Sequence, residues 1–240
     1  MIIIPARLES TRLPKKVLAD IGGVPMVVAT VNAVKSVDDV AVATDSKEVV
    51  DVCKSYNIKA IITSREHKSG TDRINEAASQ LGLNDNETII NVQADEPFIE
   101  TEVVKKLKHL VETSYNSDQI MIYSAYKTIS KNDAKDPNIV KVIIDESGFA
   151  IYFSRSTIPY DRDGKFDDYK CHLGLYGFKK NMLEQFCNLP CSPLEHIEKL
   201  EQLRALSHGF KIAMIEVKTK SFSIDTQKDL QKAVKQIVKI

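Results

Sequence analysis

Short apolar runs and amphipathic segments alternate along the chain from its start to Thr113. Ile2 to Ile4 form a β-branched run that stops at Pro5, which is typical of a buried parallel strand. The apolar spacing predicts further strands at 40–43, 60–62 and 88–92, and helices at 47–56, 72–81 and 102–113. This alternation predicts an α/β fold, with a mostly parallel sheet flanked by helices on both faces.

The pattern changes in the second half of the chain, where strands follow one another with few helices between them. Strands are predicted at 120–127, 139–144, 150–153 and 173–178. A helix at 195–207, a strand at 212–217 and a helix at 226–238 follow. We therefore predict a single domain over residues 1–240, with a small antiparallel arm embedded at about 120–190.

Composition limits the class of protein. The 240 residues are 43% apolar, and 33 Lys and Arg balance 33 Asp and Glu. Zero net charge argues against a nucleic-acid partner, which normally requires a basic excess. The apolar start is too short for a signal peptide, and no stretch reaches the roughly 18 apolar residues of a membrane span. We expect a soluble, cytoplasmic protein without a membrane partner, whose four cysteines are reduced thiols.

The loop after the first strand carries four cations, Arg7, Arg12, Lys15 and Lys16. Ligands of open α/β sheets bind at the carboxyl ends of strands, where this loop is expected to lie. The loop therefore predicts a site for a small, strongly anionic ligand. The alternative is a solvated basic loop.

Acidic residues also stand at the boundaries of two other predicted elements. Asp95 and Glu96 follow the apolar strand at 88–92 after two intervening residues, and Asp225 stands just before the last helix. Carboxylates at a strand end are suited to Mg²⁺, which prefers a few carboxylates together with substrate phosphates. The alternative for each acid is capping of a helix N-terminus, and only folding can bring Asp95 and Asp225 together.

Three further segments carry polar residues that have either a ligand-binding or a structural role. In residues 67–73, Ser69 or Thr71 is expected at the start of a helix. The N–H groups of such a helix start can bind phosphate, or the helix can be an ordinary capped one. Arg155, Arg162 and His172 can bind a carboxylate or sugar hydroxyls, or can be structural. The helix expected around 194–204 would align Glu198, Glu201 and Gln202 on one polar face. The chain contains neither a P-loop nor a Gly-x-Gly-x-x-Gly motif.

Six motifs occur together in a fixed order. They are Ile-Pro-Ala-Arg-x-x-Ser-x-Arg-x-Pro-x-Lys at 4–16, Ala-Thr-Asp at 43–45, Ser-Gly-Thr-Asp-Arg at 69–73, Asn-Val-Gln-x-Asp-Glu-Pro at 91–97, Tyr-Phe-Ser-Arg at 152–155 and Glu-Gln-Leu-Arg at 201–204. In this order they resemble the 3-deoxy-manno-octulosonate (KDO) cytidylyltransferase family, over essentially the whole chain.

The resemblance implies a reaction in which CTP and KDO give CMP-KDO and pyrophosphate, which activates KDO for lipopolysaccharide synthesis. It also implies a Rossmann-like nucleotide-diphospho-sugar transferase fold, dependence on Mg²⁺ and a homodimer with its contact in the arm. A cytidylyltransferase for another acid sugar, 8-amino-KDO or a sialic-acid-like sugar, is the nearest alternative. A nucleotide-binding regulator without activity is a second one.

The resemblance also implies roles for individual residues. Arg7, Arg12 and Lys16 would hold the triphosphate, and Asp95 and Asp225 would bind Mg²⁺; these five form the expected catalytic set. The wider CTP site would comprise Ala6, Arg7, Ser10, Arg12, Lys16, Ser69, Arg73 and Gln93. The KDO site would comprise Gln93, Arg155, Arg162, His172, Tyr176, Glu201 and Gln202.

The chain departs from the family pattern in three places. Ala94 and Lys15 stand where glycine is usual, and Ser223-Ile224 replaces Gly-Val before Asp225. The Cβ of Ala94 is expected either to crowd a ligand or to require a negative φ at that residue. Lys15 is expected to be solvated.

Overall fold

The computed structural model describes residues 1–10, 12–114 and 118–237. The pattern of contacts between residues divides the chain into two compact units. The first unit comprises Met1–Lys105 and Thr219–Ile240, and the second unit comprises Lys106–Lys218. The second unit contains the whole range expected for the arm. The single-domain organisation stays a prediction.

Eleven strands are described: β1 (Ile2–Ala6), β2 (Asp20–Ile21), β3 (Val24–Pro25), β4 (Val40–Thr44), β5 (Lys59–Ile62), β6 (Thr88–Asn91), β7 (Ile120–Ile129), β8 (Lys141–Ile144), β9 (Ala150–Ser154), β10 (Tyr169–Lys179) and β11 (Lys211–Glu216). The α-helices of the described ranges are α1 (Met26–Val34), α2 (Lys47–Ser55), α3 (Gly70–Gln80), α4 (Thr101–Thr113), α5 (Lys180–Asn188), α6 (Pro193–Glu198), α7 (Leu203–Ser207) and α8 (Gln227–Ile237).

The first unit contains a parallel sheet in the order β6-β1-β4-β5. Ile2, Ile3 and Ile4 are fully buried in β1, which confirms the predicted strand. The strand does not end at Pro5, however, but pairs with β4 as far as Ala6. Proline removes an N–H donor without preventing an extended path, so the chain leaves the sheet one residue later than expected.

Helix α1 was not predicted from the sequence. Its apolar residues surround the helix instead of forming one stripe, and Met26, Val27, Val28, Val31 and Val34 are all buried. A helix that is apolar on most sides lacks the periodic signal of an amphipathic helix. The valines also favour a strand by propensity, and tertiary burial overrides that preference.

The predicted helix at 195–207 is wrong, because the chain breaks it into α6 and α7. Lys199 ends α6 in the left-handed conformation, with φ of 55°. Arg204 of α7 reaches back to both carboxylate oxygens of Glu195 in α6, at 2.9 and 2.6 Å. Glu198, Glu201 and Gln202 therefore do not share one helical face.

The second unit contains a mixed sheet in which β7 lies between β11, which is parallel to it, and β10, which is antiparallel. Strands β8 and β9 form an antiparallel pair, and β8 also pairs with β10. This confirms the predicted run of antiparallel strands. Strand β10 contains a bulge between His172 and Tyr176, where the register against β7 shifts.

Helix α8 packs within the first unit and places the segment that precedes it. Ile224 and Ala233 are fully buried together with Ile21 and Met26, and the rings of Phe98 and Phe222 stack at 5.3 Å. The backbone N–H of Ile224 donates to the carbonyl of Asp95 at 2.9 Å. The predicted end of this helix at Val238 lies outside the described residues.

No helix in the described ranges is long and apolar enough to cross a bilayer. Burial raises the pKa of the Cys53 and Cys171 thiols to about 11, so both are protonated at neutral pH.

Removal of the Ile224 side chain tests whether this packing supports the first unit. We expect Ile224→Ala to lower the free energy of unfolding by about 2–5 kcal/mol, since it leaves a cavity in a fully buried cluster. Ile224→Val, which removes one methylene, should cost only about 0.5–1.5 kcal/mol. Urea unfolding of both variants measures the difference. Equal stability of Ile224→Ala and the wild type would contradict the packing described for α8.

Candidate active site

A cleft of about 340 Å³ opens in the first unit at the carboxyl end of β1. Seven of the residues expected to contact CTP lie in its wall: Arg7, Ser10, Arg12, Lys16, Ser69, Arg73 and Gln93. Asp95 lines the same cleft, whereas Ala6 is fully buried at the end of β1. The fold thus collects the expected residues from three separate stretches of sequence.

Lys16 lies between the two expected metal ligands. Its ammonium is 2.5 Å from Oδ2 of Asp95 and 3.0 Å from Oδ1 of Asp225. Burial by itself would lower the pKa of Lys16, but attraction and hydrogen bonds to both carboxylates outweigh burial and raise it. Lys16 is therefore charged, and Asp95 and Asp225 converge on one cation although 130 residues separate them.

The capping alternative does not hold for either aspartate. Thr226 caps α8, because its hydroxyl accepts from the N–H of Asp229 at 3.2 Å while the Asp229 carboxylate accepts from the N–H of Thr226. Asp95 lies in a turn ahead of α4. Glu96, next to it, accepts a hydrogen bond from Ser221 at 2.9 Å, so the two acids of the pair have different partners.

The two arginines of the opening loop are held differently. Arg12 reaches the oxygen of Asp225 that Lys16 also contacts, at 2.9 Å, and its side chain is 62% exposed. Arg7 donates to the backbone carbonyls of His67 and Lys68, at 2.8 and 3.3 Å. Both guanidiniums are accessible from the cleft, and Arg7 also ties the opening loop to the loop before α3.

Helix α3 begins at the wall of the cleft. Ser69 caps it within a capping box with Asp72, which confirms one of the two predicted caps. A Cβ on Gly70 would come within 3.1 Å of the ring of Pro5, so glycine permits the close approach of this helix end to β1. The free N–H groups of a helix N-terminus favour an anion at this position.

Arg73 has a supporting position in the cleft wall. Its side chain is 1% exposed, and the guanidinium donates to Thr63 at 2.6 Å and to Asp45 at 2.8 Å. Asp45 also accepts from the backbone N–H of Leu8 at 3.5 Å. Sequence reasoning placed Asp45 only in the N-cap pair Asp45-Ser46 of the helix at 47–56 and gave it no part in the site, although the Ala-Thr-Asp motif at 43–45 contains it. The structure makes Ser46 the N-cap of α2. Arg73 and Asp45 together hold the opening loop against the sheet.

Two departures from the family pattern are accommodated without disruption. Ala94 is absent from the described non-glycine residues with positive φ, so its Cβ causes no backbone strain. Lys15 adopts φ of 52°, the left-handed region that favours glycine. Its ammonium is 2.8 Å from both carboxylate oxygens of Glu48, and its side chain is 61% exposed.

Three of the expected KDO residues come together in the second unit. The Tyr176 hydroxyl donates to Oε1 of Gln202 at 3.1 Å, and Nε2 of Gln202 lies 3.4 Å from Nδ1 of His172. The other ring nitrogen of His172 is 2.9 Å from Oγ of Ser124. Burial lowers the pKa of His172 to about 3, so the imidazole is neutral and cannot hold a carboxylate as a cation.

The two arginines expected to contact KDO have other surroundings in the second unit. Arg155 donates to the backbone carbonyls of Glu198, Pro137 and Lys199 at 2.8–3.4 Å. Arg162 lies on the loop between β9 and β10, among exposed residues. Glu201 acts on the cluster through its charge, which adds to burial in raising the pKa of Tyr176 well above its ordinary value.

Ser124 is a residue of this cluster that sequence reasoning missed. It is fully buried in β7, inside the otherwise apolar run of residues 120–125. A hydroxyl at the centre of an apolar strand is the signal that could have identified it, since a buried polar group requires a partner.

A parallel sheet with cations in its first loop and converging carboxylates beside that loop is the arrangement of a nucleotidyltransferase. Residues 1–215 match the family described as cytidylyltransferase. A 3-deoxy-manno-octulosonate cytidylyltransferase of a Nitratiruptor species is 56% identical, over 97% of each chain. The enzyme of the same name from Wolinella succinogenes is 53% identical, over 98% of each chain.

A solved structure gives the same result. A CMP:2-keto-3-deoxy-manno-octonic acid synthetase complexed with CTP superposes with a TM-score of 0.90 at 35% identity, over 99% of this chain and 98% of its own. The chain belongs to the cytidylyltransferase family, in the group of 3-deoxy-manno-octulosonate cytidylyltransferases. The predicted fold class is thereby confirmed.

Substitutions of Lys15 test the account of its backbone. Lys15→Val should lower the free energy of unfolding by about 1–2 kcal/mol, because a β-branched residue is strained at positive φ. Lys15→Gly should stay close to the wild type, since relief of strain offsets the greater freedom of the unfolded chain. Glu48→Gln is the control for loss of the exposed ion pair, with an expected change within about 1 kcal/mol. Thermal unfolding that ranks Gly below Val would overturn this account.

Proposed function

We propose that this chain transfers CMP from CTP to the anomeric hydroxyl of KDO, with release of pyrophosphate. The observation that carries the proposal is the first-unit cleft, where Arg7, Arg12 and Lys16 surround the space beside Asp95 and Asp225. The 56% identical relative bears the name of this activity. The solved relative was complexed with CTP.

Such a reaction needs alignment and charge neutralisation more than a covalent catalyst. The sugar hydroxyl attacks the α-phosphorus of CTP and loses its proton to water, and pyrophosphate leaves with the electrons of the broken P–O bond. Arg7 and Arg12 are placed to bind the phosphates, and arginine can do so through two parallel hydrogen bonds. The start of α3 adds N–H donors on the same wall of the cleft.

We further propose that Asp95 and Asp225 hold Mg²⁺. The fit rests on the Lys16 ammonium, a cation on which one oxygen of each carboxylate already converges, and on a donor set of oxygens alone. No group of three or more potential ligands occurs among the described residues, so phosphates and water would complete the coordination. When bound, the ion would neutralise phosphate charge and polarise the α-phosphate.

Lys16 then has two roles in the proposal. In the ligand-free chain its ammonium balances the two carboxylates at the centre of the site. Once a triphosphate enters, phosphate oxygens offer the same ammonium a second anionic partner within the cleft. The residue can thus move from carboxylate to phosphate without ever leaving its charge unpaired.

Pyrophosphate release tests the proposed function directly. The purified chain is mixed with CTP, Mg²⁺ and KDO, and pyrophosphate is followed with a coupled assay. Release with KDO and only weak release with 8-amino-KDO or a sialic acid would support the proposal. Faster turnover of another acid sugar would replace KDO as the substrate. CTP binding without release from any acid sugar would favour a nucleotide-binding regulator.

The metal proposal predicts the effect of neutral substitutions. Asp95→Asn and Asp225→Asn should each lower kcat by at least about a hundredfold, roughly 2.7 kcal/mol, because each removes one ligand. Each should also weaken Mn²⁺ binding in the presence of CTP, measured by electron paramagnetic resonance. Glu96→Gln is the matched control, since that carboxylate bonds to Ser221 instead. Turnover near that of the wild type at saturating Mg²⁺ would remove the substituted residue from the metal site.

We also propose a cytoplasmic homodimer with its contact in the 120–190 range. Support comes from two large side chains of this range, Ile151 and Tyr160, which are 58% and 88% exposed. The cytoplasm follows from the proposed use of CTP. Sedimentation equilibrium should give twice the chain mass for the wild type, and the single-chain mass for Ile151→Glu if Ile151 lies in the contact.

A further inference from the structure

The bulge in β10 presents a carbonyl group to a buried hydroxyl. Along β7, Tyr126 is opposite His172 and Ser124 is opposite Tyr176, so β10 advances four residues while β7 advances two. Bulges of this kind redirect side chains and often lie beside functional sites. Here the Ser124 hydroxyl lies 2.7 Å from the carbonyl oxygen of Leu175, inside the bulge.

The hydrogen on Ser124 can be assigned from its partners. A carbonyl oxygen only accepts, so Ser124 donates its single hydroxyl hydrogen to Leu175. Its contact with His172 at 2.9 Å must then be accepted by Ser124 and donated by Nε2–H. The neutral imidazole has one N–H, which leaves Nδ1 as an acceptor.

The same reasoning extends to the other members of the cluster. Nδ1 of His172 requires a donor, and the Gln202 amide nitrogen lies 3.4 Å away. The carbonyl oxygen of Gln202 then faces Tyr176, whose hydroxyl must donate across 3.1 Å. The four hydrogen bonds therefore all run in the same direction. Tyr176 donates to Gln202, and Gln202 donates to His172. His172 donates to Ser124, and Ser124 donates to the carbonyl of Leu175. Gln202 is 1% exposed, so water offers little alternative.

We propose that Ser124 is a positioning residue of the sugar site, because it fixes His172 as the Nε2–H tautomer and thereby sets the orientation of the Gln202 amide and of the Tyr176 hydroxyl. This rests on the proposed function and on the KDO contacts that the family resemblance implies for His172, Tyr176 and Gln202. Ser124 acts through these residues and need not touch the sugar itself.

The orientation has a consequence for recognition. The Tyr176 hydroxyl donates its only hydrogen to Gln202. Its phenolic oxygen can therefore only accept a hydrogen bond from a ligand. An ionised carboxylate also only accepts and therefore cannot pair with it. Tyr176 is thus set to receive a hydroxyl of the sugar, and the sugar carboxylate must be bound elsewhere.

Nuclear magnetic resonance of the ¹⁵N-histidine-labelled protein tests the tautomer without reference to activity. The wild type should show His172 with a protonated Nε2 and an unprotonated Nδ1. Ser124→Ala removes the acceptor for Nε2–H, so we expect a shift towards the Nδ1–H form. We also expect the KM for KDO to rise at least about tenfold, with the KM for CTP within about twofold, since the alignment of the sugar residues is lost. Ser124→Thr retains a hydroxyl and should restore the wild-type tautomer.

Ser192→Ala controls for a general loss of stability. Ser192 is another buried serine of the second unit, and it caps α6 outside the hydrogen-bonded cluster. Its loss should change neither the His172 spectrum nor the KM for KDO.

The Nδ1–H form in the wild type, or a shifted tautomer in Ser124→Ala with an unchanged KM for KDO, would overturn the inference. If the wild type does not use KDO, the proposed substrate fails while the spectra still decide the tautomer. If Ser124→Ala does not fold, the wild-type and Ser124→Thr spectra decide, and an Nδ1–H form in either rejects the assignment.

Discussion

The ion pairs of Lys16 with Asp95 and Asp225 are the interaction on which the site of the first unit depends. They join the loop after β1, the turn after β6 and the segment before α8. Two carboxylates placed this close together repel one another, and a partly buried ammonium between them makes the arrangement stable. The stacked pair Phe98 and Phe222 and the buried Ile224 hold two of these segments together by packing. Electrostatics and apolar burial therefore act on the same piece of backbone.

Three of the four cations of the opening loop have a carboxylate partner, whereas Arg7 donates to backbone carbonyls. Arg12 shares an oxygen of Asp225 with Lys16, and Lys15 is turned away to Glu48. In the second unit, by contrast, His172 and Tyr176 are buried and uncharged. Both are among the residues expected to contact the sugar. There, hydrogen bonds of defined direction replace ion pairs as the ordering interaction. The charged groups of the first-unit cleft are thus ordered by ion pairs, and the buried cluster of the second unit is ordered by hydrogen bonds between uncharged groups.

Sequence reasoning predicted the elements whose signal is local. The β-branched run at Ile2–Ile4, the cap at Ser69 and the strands of the second unit all follow from spacing and side-chain type. Helix α1 was missed because its apolar residues have no single face, and the break at Lys199 was missed because the Arg204–Glu195 ion pair acts across the turn. The nearness of Asp95 and Asp225 could be expected only from the resemblance, since no local pattern joins positions so far apart. The partners of Ser124 depend on a bulge that spacing does not reveal.

The first unit is built from both ends of the chain, and this has a consequence for its formation during synthesis. The ribosome releases Met1–Lys105 first, then the continuous second unit, and only afterwards the segment with Asp225 and α8. Until that last stretch emerges, only one of the two carboxylate partners of Lys16 has been synthesised, and the residues that cover Leu13, Ile21 and Met26 from α8 are absent. The unit whose sequence begins first is therefore completed last, and it exposes an apolar surface that nascent-chain chaperones are suited to cover.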